Sequence, residues 1–303
     1  MIKNLAFKGG GVRGIAFVGA LRELEKNGFL SNVARVAGSS AGALVASMYS
    51  LQYSVNDIFE MMQGIQFKEF DDAFDPIRIV THYGLYKGNY ILEFAENLLV
   101  NCGKGLTAKA TFGDLKAAGC KDLYVFATNL NTRCTTEFSA DCTPGVYVAE
   151  AIRASMSIPI FFRAWQFSNG LPDNDIYVDG GLMFNYPLSF FDDARFCSSP
   201  LLTNIESLGF YLRTLPENKT RKKFGFDKVF VYAKHLFKSK LNVQDQDVYE
   251  DGEQVYRSVV IDDLGLLATD FDLTAEDINN LVASGEKAAN EYYQRHQQGV
   301  SVA

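Results

Sequence analysis

Gly38-Ser39-Ser40-Ala41-Gly42 is a G-x-S-x-G pattern set between an apolar run and a helix-forming run. Upstream, Val33, Ala34, Val36 and Ala37 read as a short buried strand, and Ala43 through Tyr49 reads as the helix that follows. The small residues Gly38 and Gly42 let the backbone turn sharply from strand to helix, which lifts the Ser40 hydroxyl out of the sheet at the positive end of the helix. Ser40 is therefore a candidate nucleophile, and an ordinary βα turn is the competing reading of the same five residues.

A second glycine-rich segment, Lys8-Gly9-Gly10-Gly11-Val12-Arg13-Gly14, follows the run Ile2 to Phe7 and precedes Ile15 to Leu21, giving strand, glycine loop and helix. Gly9, Gly11 and Gly14 satisfy G-x-G-x-x-G, a dinucleotide-binding signature that requires an acidic residue about twenty positions later. No Asp or Glu occurs from Gly28 to Ala46, so the nucleotide reading lacks its ribose ligand; no Gly-Lys-Ser/Thr closes the loop, which excludes a P-loop. The alternative is an oxyanion hole: backbone N–H groups of Gly9, Gly10, Gly11, Val12, Arg13 and Gly14 stabilise the charge that forms when Ser40 attacks an ester carbonyl.

A serine nucleophile needs a base. The chain has three histidines, His82, His235 and His296, none in a turn beside Gly or Asp. His235 follows Ser40 and Asp179 in the chain order of an α/β-hydrolase triad, but its surroundings, Phe226 to Lys238, read as an amphipathic helix. The better candidate is Asp179, which the short run Asp175-Ile176-Tyr177-Val178 delivers to the turn Gly180-Gly181. A carboxylate in a dry site accepts a serine proton directly, because burial raises its pKa.

Together, Gly9 to Gly14, Gly38 to Gly42 and Asp179-Gly180-Gly181, in that order, resemble the patatin-like phospholipase family. The resemblance extends through Thr111-Phe112-Gly113-Asp114-Leu115, Ala151 to Pro159, Asn185-Tyr186-Pro187 and Phe271-Asp272-Leu273-Thr274. One departure is Gly181, where many members have alanine, a residue also small. The resemblance implies a Ser/Asp dyad without histidine: Ser40 as nucleophile, Asp179 as base, and Gly10 and Gly11 as oxyanion donors, with Arg13 in the loop and no defined role. It implies hydrolysis of fatty-acyl esters of glycerophospholipids, with no metal and no cofactor. A second reading is a regulated effector or toxin whose hydrolase fold needs an activating protein or small ligand.

The 303 residues, 48% of them hydrophobic, supply a large core. No repeat or low-complexity linker divides them, so one α/β domain is expected over residues 1–303, with its motif core at about 1–195 and residues 196–303 completing the fold. Predicted strands lie at 2–7, 33–37, 122–128, about 135–139, 175–178, 207–213 and 256–261. Predicted helices lie at 13–27, 41–51, 55–65, 88–100, 146–156, 223–240 and 275–297. This alternation implies a mostly parallel central sheet sandwiched by helices. Asp57 to Phe67 with Phe70 and Phe74 reads either as a lid or acyl-binding wall or as ordinary core.

The five cysteines make no C-x-x-C, which supports neither a metal site nor a disulfide framework. Met1 is followed at once by the first strand, so the expectation is a cytoplasmic protein peripheral to membrane, or one exported without a cleavable signal peptide. A net charge of −7 argues against nucleic acid as a partner. Charge is uneven: Lys219 to Lys240 holds eight basic residues and the single acid Asp227, net +7, leaving −14 elsewhere. Phe226, Phe230, Ala233 and Phe237 recur there at helical spacing, so this stretch reads as a basic amphipathic helix for an anionic membrane surface or as a surface helix packed on the core.

Overall fold

Alternate residues of the strands face two different cores. Leu5 and Phe7, Val36, Leu123 and Val125, and Leu208 and Phe210 join one large cluster, whereas Ala6, Ala37, Tyr124, Phe126 and Tyr211 join another with Tyr186, Leu188 and Phe191. Because side chains alternate across a strand, both faces of the sheet are covered and the architecture is three-layered. The structure, a computed structural model, describes residues 1–65, 81–197, 203–218, 229–268, 270 and 272–297.

Strands β1 (Asn4–Phe7), β2 (Arg35–Ser39), β4 (Asp122–Asn129), β8 (Ser207–Arg213) and β9 (Ser258–Asp262) run parallel in the central sheet. β5 (Cys134–Phe138) and β7 (Tyr177–Asp179) both pair antiparallel with β4. The order is β5-β4-β2-β1-β8-β9, with β7 beside β4. Two short strands absent from the sequence reading, β3 (Gly84–Tyr86) and β6 (Ile160–Phe162), form a separate parallel pair.

Residues Gly11–Ile15 form a 3-10 turn, so the first α-helix starts at Ala16 rather than at residue 13. It packs along the last helix, Ala275–Gln297, on the large-core face. The helix expected at 223–240 is observed as Val229–Glu250, longer at its C-terminal end; residues 219–228 lie outside the described residues, as do Phe67, Phe70 and Phe74. Among the described residues, no helix is long and apolar enough to cross a membrane.

Strand register decides what meets at the sheet's edge. Phe7 of β1 is level with Gly38 of β2, so the glycine loop and the serine turn leave adjacent parallel strands at the same end. β2 ends with Ser39 opposite Phe126 of β4, and β7 takes over the same edge of β4 with Asp179 opposite Ala127. The residue after Ser39 and the aspartate are thus delivered to one point by consecutive positions of one strand.

At the middle of the large core Phe7 stacks on Phe210 with ring centroids 4.6 Å apart, and Phe17 meets Phe7 edge-on at 5.6 Å. Replacing Phe210 by Ala leaves a cavity between the sheet and the first helix, beside Phe7 and Phe17, and the expected loss is about 3 to 5 kcal/mol. A urea midpoint of the variant equal to that of the parent contradicts this placement of the core.

Candidate active site

Ser40 sits between β2 and the helix Ala41–Ser50 with φ 53° and ψ −129°, a left-sided conformation that a non-glycine residue holds only when its surroundings enforce it. The turn closes because its neighbours are small. A Cβ on Gly42 would stand 2.3 Å from the Phe7 carbonyl oxygen, and one on Gly38 would stand 2.3 Å from the Gly42 carbonyl oxygen. The helix starts just after Ser40, whose carbonyl accepts the Ala43 N–H at 2.9 Å, and this turn leaves the Ser40 hydroxyl at the helix N-terminus.

The Ser40 hydroxyl donates to Asp179 Oδ2 at 2.7 Å, while Asp179 Oδ1 accepts the Gly181 N–H at 2.7 Å. Asp179 is almost wholly buried. Burial pushes its carboxyl up to about 7, against the opposing pull of the Ser40 hydroxyl and the Gly181 N–H. The histidines do not take this place: His82 is exposed against Thr81, His235 lies on helix Val229–Glu250, and His296 stacks on Tyr292.

Residues 155–157 hold both partners from behind. The Ser155 hydroxyl accepts the Ser40 N–H at 2.9 Å and donates to the Phe126 carbonyl at 2.6 Å. The Ser155 carbonyl accepts the Gly180 N–H, and the Ser157 carbonyl accepts the Asp179 N–H. Arg153, fully buried, donates to the Ser157 hydroxyl at 2.6 Å and to the Lys87 carbonyl at 2.7 Å.

The glycine loop does not offer all of its N–H groups. Gly9 donates to the Asn185 carbonyl at 2.9 Å and Val12 to the Ala268 carbonyl at 3.1 Å, so the N–H groups of these two expected oxyanion donors are engaged elsewhere. Arg13, for which the sequence defines no role, donates through Nε to the Gly10 carbonyl at 2.9 Å and forms a short ion pair with the buried Asp263. In a trans peptide the C=O and the following N–H point in opposite directions, so this bond turns the Gly11 N–H away from Arg13. Gly14 is buried against Ala41 and serves packing. Gly11 has φ +58°, and a Cβ there would stand 1.9 Å from the Ala268 carbonyl oxygen.

An apolar pocket opens at Ser40, walled by Leu44, Met62, Ile65, Met156, Ile158 and Phe162 and rimmed by Gly11, Val12 and Ala268. Met62 and Ile65 come from the Met- and Phe-rich stretch, so its described part is at once core and pocket wall. Among the described residues, no group of three or more His, Cys, Asp or Glu side chains is arranged to hold a metal ion. Sequence reasoning left Asn185, Gln244, Asp263 and Ala268 without a role. All four act through contacts across long stretches of chain, and only Asn185 fell within a quoted motif.

Residues 5–192 match the family model described as patatin-like phospholipase, the family that the three motifs resemble. The uncharacterized protein R571 of Acanthamoeba polyphaga mimivirus is 32% identical over 195 residues, which are 63% of this chain and 62% of that protein. The uncharacterized protein YqhO of Bacillus subtilis is 29% identical over 297 residues, 93% of this chain and 94% of its own length. Among solved structures, VipD from Legionella pneumophila superposes with a TM-score of 0.62 at 17% identity, covering 97% of this chain and 67% of that one. ExoU from Pseudomonas aeruginosa, solved in complex with SpcU, superposes with a TM-score of 0.57 at 16% identity, covering 98% of this chain and 53% of that one. At these identities the two structures show the shared fold. The chain spans less than two thirds of the mimivirus protein and about half of the ExoU chain.

The raised carboxyl has a consequence for stability. Asp179 holds its proton more tightly folded than unfolded, so its contribution falls as pH rises from about 4 to about 7, and the full cost is present above that. Asp179→Asn keeps an acceptor for Gly181 and gives up the buried charge. At pH 8 the variant should melt above the parent, and near pH 4 the two should melt together. A lower melting temperature for the variant at pH 8 contradicts the assignment.

Proposed function

Because this chain belongs to the patatin-like phospholipase family, we propose that it is a lipid acyl hydrolase of phospholipase A type in which Ser40 is the nucleophile and Asp179 the base. The observation that carries the reading is the 2.7 Å hydrogen bond from the Ser40 hydroxyl to a buried carboxyl whose pKa is pushed up to about 7. A base of that strength is still ionised in part at neutral pH and retains enough affinity for the proton it takes.

Attack of Ser40 Oγ on the ester carbonyl transfers the hydroxyl proton to Asp179 Oδ2 and places negative charge on the carbonyl oxygen. The N–H groups of Gly10 and Gly11 receive that charge; this assignment is supported by the engagement of Gly9 and Val12 elsewhere and by the hold of Arg13 on the Gly10 carbonyl. Collapse expels the lysophospholipid alkoxide, which takes the proton from Asp179 and leaves an acyl-Ser40 ester. Water then attacks the acyl carbon while giving a proton to Asp179. As the second tetrahedral adduct collapses, that proton passes to the departing Ser40 oxygen and the fatty acid leaves.

The pocket supports an acyl chain as its occupant, since every wall side chain is apolar. A phospholipid headgroup would stay outside, and the substrate would be met at a membrane surface. In a second reading, an activating partner or ligand uncovers the site. It is favoured by the burial of Ser40, 8% exposed, and by the solution of the ExoU structure as a complex with SpcU. Turnover that appears only when cell lysate or a ligand is added to the purified chain selects this second reading.

A fluorophosphonate probe should label the purified protein on Ser40, and Ser40→Ala should lose both labelling and hydrolysis of nitrophenyl fatty esters. Asp179→Asn should lose at least about a thousandfold in kcat while its circular dichroism is unchanged. Survival of turnover in either variant sinks the dyad. The kcat/KM profile should climb to a plateau with an acid limb centred near pH 7, because only the ionised carboxyl accepts the proton.

Filling the pocket should alter chain-length preference. Met62→Trp is expected to lower kcat/KM for long acyl esters relative to the butyrate ester, by about fourfold for each methylene excluded, the equivalent of about 0.8 kcal/mol. An unaltered ratio between dodecanoate and butyrate esters would place the acyl chain elsewhere.

A further inference from the structure

Helix Val229–Glu250 lies outside the residues that match the family model, yet it reaches both loops of the site through one side chain. Gln244 Oε1 accepts the Asn185 N–H at 2.9 Å, and Gln244 Nε2 donates to the Gly181 carbonyl at 2.9 Å and to the Leu182 carbonyl at 3.3 Å. Two of these contacts are on residues that themselves bond the site's elements. Gly181 gives its own N–H to Asp179 Oδ1 at 2.7 Å, and the Asn185 carbonyl accepts the N–H of Gly9, the first glycine of the loop, at 2.9 Å.

The next residue adds a second fixed point. Asp245 pairs with Lys8 Nζ at 2.6 Å, and the Lys8 ammonium, almost wholly buried, also donates to the Leu212 carbonyl at 2.6 Å and lies 4.2 Å from the centre of the Tyr211 ring. Tyr211 in turn donates its hydroxyl to the Asp245 carbonyl at 3.0 Å. Lys8 immediately precedes Gly9, so the pair Gln244-Asp245 grips the start of the glycine loop and the aspartate turn together.

We propose that Gln244 is a positioning residue for the reaction at Ser40, its carboxamide holding the Gly181 turn against Asp179 and, through Asn185, the glycine loop against Ser40. The inference rests on the reading of Ser40 and Asp179 as nucleophile and base. A primary amide is the group that fits, because the site requires one acceptor and two donors from the same side chain, and glutamine supplies both. Leucine or methionine would fill the space and satisfy none of them.

A residue that merely stabilised the fold would change how much protein is active. A positioning residue changes how the active protein works. Among the described residues, the groups acting on the Asp179 carboxyl are the Ser40 hydroxyl and the Gly181 N–H, both of which favour its charged form. Releasing the Gly181 turn weakens the second of these and shifts the carboxyl further up.

The test is a pH profile of kcat and KM on active-site-titrated protein, with fluorophosphonate labelling counting the competent sites. Gln244→Ala should lower kcat about 10- to 100-fold with KM within about twofold of the parent, the loss expected for one or two part-buried hydrogen bonds felt in the transition state. Its acid limb should move to higher pH. Gln244→Glu keeps the acceptor for Asn185, loses the donors to Gly181 and Leu182 and adds negative charge beside the turn, so its limb should also move up; this variant serves if the alanine variant does not fold. Gln246→Ala, which removes an exposed side chain that donates to Glu250 on the same helix, should behave as the parent. A parent that labels normally, with Gln244 variants whose kcat per labelled site and acid limb are unmoved, overturns this inference alone. A parent that does not label overturns the Ser40 reading and this inference with it.

Discussion

The site depends on one edge of one strand. β4 pairs with β2 up to Phe126 opposite Ser39 and with β7 from Ala127 opposite Asp179, so two segments about 140 residues apart in the chain meet end to end along a single hydrogen-bonded ladder. A slip of one residue in either pairing would move its side chains to the opposite face of the sheet and separate Ser40 from Asp179. The dry core around this junction sets its electrostatics: the same burial that seats β7 raises the Asp179 carboxyl to about 7, the range that the proposed base requires. Strain at Ser40 and desolvation at Asp179 are costs that the surrounding sheet, the residues 155–157 and the last turns of helix Val229–Glu250 sustain.

How much of this was legible in the sequence depended on whether the signal was local. The glycine loop, the serine turn and the aspartate turn are short motifs whose residue types are required by their own backbone geometry, and they point to one family. Strands are expected at 2–7 and 207–213, and the alternation of strands with helices implies a sheet covered on both faces. By contrast, β3 and β6 are three residues each, too short for a period to register, and each depends on the other for its pairing. The short helix Phe112–Ala117, absent from the predicted elements, does carry a local mark, the capping box of Thr111 and Asp114.

The long helix after residue 228 shows the other limit. Its expected end at Lys240 lies at the last of its basic residues, and beyond Leu241 the stretch to Glu250 is mostly polar, so its apolar stripe thins. What holds that stretch is tertiary: Gln244 on the aspartate turn, Asp245 on Lys8, and Val248 packed against the smaller core. Arg13 was likewise silent in sequence because its partner, Asp263, is 250 positions away. The residues proposed to carry the chemistry stand out by local pattern, and those proposed to position them do not, because positioning is a property of the packed molecule.

The central claim is that Asp179 is a buried carboxyl with an elevated pKa beside an uncharged Ser40. Carbon-13 NMR of aspartate carboxyl groups, with Asp179→Asn to assign the signal, measures that titration directly in the resting protein. The account predicts a single carboxyl signal, absent from the variant, that titrates near pH 7. An Asp179 signal that titrates near 4 with the free aspartates would contradict it.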